Sequence, residues 1–151
     1  YEVTMTPAPS PSPGGGETLK LSYRMADGWK FIRVHGQGAI PPLKTPDAEQ
    51  LQPTALGLWV YGDGQGCTLR LRFTDATGQV FQPAGETVNW KGWRYITLNL
   101  KPQLDDPLTS WGGANDKAIH YPIHWDTSLL LDGNRKAVAG EICASSPVLI
   151  Y

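Results

Sequence analysis

The sequence predicts an all-β protein, a sandwich of antiparallel sheets, and three observations carry that expectation. Short runs alternate apolar and polar residues, most clearly between Leu56 and Leu100, the pattern of strands with one buried face. Turn-forming residues interrupt these runs at about every 8–12 positions, the spacing of a sandwich. The composition is rich in turns and rings, with 17 Gly, 13 Pro, six Trp and six Tyr. No stretch has a convincing amphipathic helical period.

The bulk properties narrow the function classes. A chain of 151 residues is about one domain and can bury a core without metal or disulfide staples. Thirteen basic and fourteen acidic residues leave a formal charge of −1, with no basic stripe. Nucleic acid and anionic membrane need a concentrated positive field, so neither is an expected partner. No apolar run reaches the roughly 20 residues that cross a bilayer, and any secretion signal is expected outside these residues. Cys67 and Cys143 are too few to define a framework and read either as one disulfide or as two buried thiols.

Taken in order, YEVTMT at 1–6 suits a short first strand, and PAPSPSPGGG at 7–16 reads as a linker-like segment or as a surface loop after an edge strand, because Pro lacks the amide donor and Gly costs entropy. The folded module is expected over 17–151. In ETLKLSYRM, Leu19, Leu21 and Tyr23 share one face. Asp27-Gly28 makes a turn, and WKFIRVHG returns as the second strand of a hairpin. Residues 36–53 form a long loop with four prolines.

Between Leu56 and Leu100, DGQG at 63–66 is expected to close a hairpin that pairs Val60 with Leu69, Leu58 with Leu71 and Leu56 with Phe73. That register gathers every aliphatic side chain on one face, and a slip of one residue would expose them all. The other face then carries Trp59, Tyr61, Arg70 and Arg72 together. DATG at 75–78 makes the next turn, and a bulge at Gly78 decides whether Val80 or Phe81 points inward. In RYITLNL, Ile96, Leu98 and Leu100 face the core and Tyr95 faces away. Trp93 joins Tyr95 by strict alternation, although strand entries often bend. IHYPIHW, SLLLDG and EICASSPVLIY supply the closing strands.

Catalytic patterns are missing. A glycosidase holds two carboxylates about 5–10 Å apart, whereas Asp27, Asp63, Asp75, Asp116 and Asp132 all sit in turn contexts where carboxylates cap backbone amides. His120 and His124 flank Pro122 in an extended segment, which separates them by about 13 Å, too far to chelate one ion. No nucleophile elbow, paired-cysteine motif or phosphate loop is present. The domain is therefore expected not to be an enzyme.

Rings beside Arg, Asn and His suit a sugar, whose C–H face stacks on an aromatic side chain while its hydroxyls need fixed donors and acceptors. The same rings would serve equally well as ordinary core residues. GLWVYGDGQGCTLRLRFTDATGQVFQ, NWKGWRYITLNL and WGGANDKAIHYPIHWDTSLLLD together resemble the carbohydrate-binding modules of the galactose-binding-like β-sandwich superfamily, over about residues 17–151. The resemblance implies a jelly-roll of two antiparallel sheets. It also implies a secreted, monomeric, non-catalytic module that binds a plant or microbial polysaccharide and targets a glycoside hydrolase or lyase domain of the same parent chain. Concave-face ligand residues carried over are Trp59, Tyr61, Arg70, Arg72 and Tyr95, and loop candidates are Trp90, Trp111 and His120. Many relatives hold a structural calcium near the first strand, where Glu17 is the candidate ligand; the closing strand here has Ser145-Ser146 where acidic residues are common in that family. The alternative function is a structural or protein-interaction sandwich with no glycan binding of its own.

Overall fold

The computed structural model describes residues 2–9, 17–36, 38–44, 50–101 and 108–151. Among the described residues thirteen strands follow one another along the chain. They are β1 (Glu2–Pro9), β2 (Glu17–Met25), β3 (Phe31–Val34), β4 (Ala39–Ile40), β5 (Ala55–Asp63), β6 (Cys67–Thr74) and β7 (Val80–Gln82). Then come β8 (Glu86–Val88), β9 (Lys91–Asn99), β10 (Thr109–Trp111), β11 (Ile123–Asp132), β12 (Val138–Ala144) and β13 (Val148–Ile150). They form two antiparallel sheets. Sheet one runs β1-β2-β12-β5-β13, with β9 on the other side of β5; sheet two runs β10-β7-β6-β11-β3, with β8 beside β6 and β4 beside β11. The chain repeatedly changes sheet, and the two sheets make a β-sandwich.

The alternation in the sequence correctly divides inside from outside. Leu56, Leu58 and Val60 of β5, and Leu69, Leu71 and Phe73 of β6, are all buried. Ile96 and Leu98 of β9, Leu129 and Leu131 of β11, and Ile142 of β12 join the same core. Phe81 is the inward residue of β7, and its ring stacks on Phe73 with centroids 5.0 Å apart. Trp93 lies on the outer face, directly opposite Tyr61.

The expected pairing is corrected. β5 and β6 do not form a hairpin: β5 pairs with β9, β12 and β13, and β6 pairs with β7, β8 and β11. Their aliphatic faces oppose one another across the sandwich instead. Both arrangements bury the same side chains, so alternation alone does not separate a hairpin from a corner between sheets. The expected hairpin of residues 17–36 is corrected for the same reason, because β2 belongs to sheet one and β3 to sheet two. The N-terminal segment also differs from a linker as far as Pro9. β1 pairs with β2 from Glu2 opposite Arg24 to Pro9 opposite Glu17, and its edge position tolerates Pro7 and Pro9, which lack an amide donor. Residues 10–16 of that segment lie outside the described residues.

Asp63 holds the corner between β5 and β6. Its Oδ1 accepts the Gln65 amide at 3.0 Å, while Oδ2 accepts the Tyr23 hydroxyl at 2.6 Å and the Glu141 amide at 3.0 Å. Gly64 and Gly66 turn the chain there at φ of 74° and 77°, which a side chain resists. Gly140 leaves room for the carboxylate, since a Cβ at that position would overlap it. Burial and the bond to Asp63 push the Tyr23 hydroxyl well above the ordinary phenol pKa, so it stays a donor. Asp63→Ala removes the acceptor from Tyr23 and from the Glu141 amide, and should cost about 1–3 kcal/mol in urea denaturation; a stability equal to wild type would show that the corner holds without it.

Candidate functional site

The outer face of sheet two carries the candidate site. Strands β3, β6, β7 and β11 lie side by side there, and their outward residues include Phe31, Arg33, Arg70, Arg72, Gln82, Leu130 and Asp132. Together with Trp29 these side chains line an open cleft of about 370 Å³. In the ladder Leu130 sits between Arg33 and Arg70, so an apolar residue separates two cations along one row.

Hydrogen bonds fix the polar floor. Arg70 Nη1 donates to Asp132 Oδ2 at 3.1 Å. Arg72 donates from Nε and Nη2 to Gln82 Oε1 at 3.1 and 2.9 Å, and its Nη1 reaches Asp126 Oδ2 at 3.5 Å. Arg33 Nη2 donates to Asp126 Oδ1 at 2.6 Å and its Nε to the buried Thr127 hydroxyl at 2.6 Å. β11 is irregular between Trp125 and Leu130, and that irregularity brings both Asp126 and Thr127 within reach of the arginines.

Large rings border this floor and remain in solvent. Trp29 is 70% exposed, Phe31 52% and Trp111 40%. The Arg72 guanidinium stands 5.3 Å from the Trp111 ring centroid and the Arg135 guanidinium 4.7 Å from that of Trp29, cation–π contacts that orient the indoles. Trp111 owes its place to β10, where it pairs with Val80 of β7, and to the loop that follows.

That loop is fastened by buried polar groups. Asp75 Oδ1 accepts the Thr77 amide and hydroxyl at 2.8 Å each and the Gln79 amide at 3.0 Å, while Oδ2 accepts the His120 amide at 3.1 Å. Burial raises the Asp75 pKa, but these hydrogen bonds outweigh it and hold the carboxyl below the ordinary range. Gln79, fully buried, donates to Asp116 and to the Ala118 carbonyl and accepts the Lys117 amide. His120 Nε2 meets Asp116 Oδ2 at 2.9 Å, and this contact is the chief cause of a lowered Asp116 pKa.

The residues expected to bind ligand fall in four places. Arg70 and Arg72 line the cleft and Trp111 stacks on Arg72. Trp59, Tyr61 and Tyr95 lie on the outer face of sheet one, because β5 and β6 belong to different sheets. There Trp59 meets Tyr95 edge-on at 5.4 Å, and Tyr61 meets Trp93 at 5.5 Å. One oligosaccharide cannot touch both faces across two sheets about 10 Å apart. Trp90 packs against the core beneath the Arg94 guanidinium, and His120 is engaged by Asp116. Trp29, Phe31, Gln82 and Asp132 went unread as site residues. In WKFIRV, however, Trp29, Phe31 and Arg33 alternate with Ile32 and Val34, which would have placed them on one face.

The metal and thiol expectations meet the structure as follows. The side chain of Glu17 lies outside the described residues, and the Ser145 hydroxyl already accepts the Trp59 amide at 2.9 Å and donates to the Ser146 carbonyl. Among the described residues no three His, Cys, Asp or Glu side chains come together. Cys67 and Cys143 are free and buried; burial pushes both thiols up, away from thiolate chemistry.

Because the folded-state pKa of Asp75 is depressed, its stabilising contribution is fully present above the unfolded carboxylate pKa of about 4. It is lost as pH falls through the lower folded value. Asp75→Asn should reduce stability at neutral pH by about 1–3 kcal/mol and should remove this part of the acid-side decline; denaturation curves from neutral to strongly acidic pH measure both. No family model matches this chain, and no curated protein matches it.

Proposed function

We propose that this domain is a non-catalytic carbohydrate-binding module whose ligand lies in the cleft on sheet two. The observation that carries the reading is the combination at one open cleft of exposed rings, Trp29 and Phe31, with Trp111 against Arg72 beside it, and a floor of fixed guanidinium, amide and carboxylate groups. Sugars present both requirements at once: a C–H face for a ring to cover, and hydroxyls for pre-oriented donors and acceptors. A few such contacts of modest area correspond to roughly micromolar to millimolar affinity, which suits a domain that tethers an enzyme to a polymer.

The chemistry at the cleft favours binding over turnover. Asp126 and Asp132 are both engaged by guanidinium groups, so neither stands free to transfer a proton. On this reading the module is secreted as part of a glycoside hydrolase or lyase and acts by localising that enzyme on its polysaccharide.

The strip formed by Trp59, Tyr61, Trp93 and Tyr95 supports a second reading, in which this face packs against another part of the parent protein. Tyr61 and Tyr95 are 41% and 42% exposed there, and edge-on aromatic pairs are common in protein contacts.

The two readings separate by mutation. Trp29→Ala and Arg70→Ala should each weaken polysaccharide binding by more than about 1 kcal/mol, measured by affinity electrophoresis or calorimetry across β-glucan, xylan, mannan and pectin. Trp59→Ala should leave that binding unchanged. Loss of binding in Trp59→Ala with retention in Trp29→Ala would move the glycan site to sheet one. A folded wild-type domain that binds no glycan would sink the module reading.

A further inference from the structure

We infer that the cleft recognises an acidic glycan, with Arg70 as the receptor for a uronate carboxylate. The inference rests on the glycan-binding reading above and names the substrate class of that site.

The first argument is charge. Arg33, Arg70 and Arg72 meet two carboxylates, Asp126 and Asp132, and Asp126 is divided between Arg33 and Arg72. The closest partner of Arg72 is the neutral amide of Gln82, at 2.9 Å. The face therefore carries a positive excess, although the chain as a whole has a formal charge of −1. Arg135, stacked on Trp29, adds a further cation beside the cleft. A neutral sugar has no use for that excess, whereas a uronate offsets it.

The second argument is the state of Arg70. Its hydrogen bond to Asp132 uses Nη1, and among the described residues Nε and Nη2 have no partner. Those two N–H groups form the side of the guanidinium that takes both oxygens of a carboxylate in parallel. Arg70 lines the open cleft with its side chain 30% exposed, so water on that side can exchange for a carboxylate ligand.

The third argument is that Arg70 is held in advance. A Cβ on Gly85 would stand 2.6 Å from Arg70 Cγ and 2.7 Å from the Leu69 carbonyl oxygen. Gly85 thus gives the Arg70 stem a bed on which to lie, while Asp132 fixes one end of its guanidinium. Pre-orientation of this kind reduces the entropy lost when ligand binds. Leu130 and Phe31 line the same cleft and offer apolar contact for the sugar ring that bears the carboxylate.

The test is calorimetric titration of the wild-type domain with polygalacturonate, glucuronoxylan, alginate and hyaluronan, each beside its carboxyl-reduced neutral form. A sulfated galactan serves as a separate anionic arm. The expected result is that at least one acidic polymer binds about tenfold or more tightly than its reduced partner, that added salt narrows the gap, and that Arg70→Gln brings the pair to parity. Equal binding within every pair, or preference for the reduced forms, overturns the inference and leaves the glycan-binding function standing. Preference for the sulfated galactan over all uronates overturns the carboxylate assignment. Absence of binding to every polymer, acidic and neutral, overturns the function and the inference together. The wild-type comparison within each pair decides the matter even if Arg70→Gln does not fold.

Discussion

At Asp63 the chain leaves one sheet for the other, and a single carboxylate ties three separate parts of the molecule there. It accepts hydrogen bonds from the turn it starts, from Tyr23 on β2 and from the amide of Glu141 on β12. The ladder between β5 and β12 covers only Cys143 opposite Tyr61 and Ala144 opposite Val60, so Asp63 supplies an acceptor for Glu141 beyond the end of that pairing. This corner decides that β5 and β6 oppose each other across the core rather than lying side by side. Every outward residue of β6, including Arg70 and Arg72, is consequently carried to the far side of the molecule from Trp59 and Tyr61.

The second sheet then builds a polar floor in which arginines outnumber carboxylates. Each guanidinium is fixed by an acceptor on a neighbouring strand: Asp132 and Asp126 come from β11, and Gln82 from β7. Such partly exposed pairs contribute little to stability individually. Their consequence is positional, because each long, flexible side chain is held toward the cleft in one arrangement. The rings at the border are positioned by different means: Trp111 by the Asp75–Gln79 loop network and by Arg72, and Trp29 by Arg135.

The aromatic strip on sheet one answers to the backbone beneath it. Tyr95 lies over Gly57, where a Cβ would overlap its phenol, so a ring covers a strand position that has no side chain. Trp59 and Tyr61 each meet the ring directly opposite on β9. These contacts stabilise the pairing of β5 with β9, which is sufficient to explain why four rings gather there.

The sequence by itself determined the fold class, the inward and outward faces of the long strands, the turn role of Asp75 and the presence of Arg70 and Arg72 on a solvent-facing surface. All of these follow from the two-residue period of a strand and from local side-chain-to-amide bonding. Only the tertiary structure decided which strands are neighbours. A hairpin and a corner bury identical side chains, and they differ by long-range bonds such as those of Asp63 to Tyr23 and Glu141, which span 40 and 78 positions. The cleft lay beyond the sequence for that reason: Trp29, Arg70, Gln82 and Asp132 meet through strand order, and strand order is set by contacts between residues far apart in the chain.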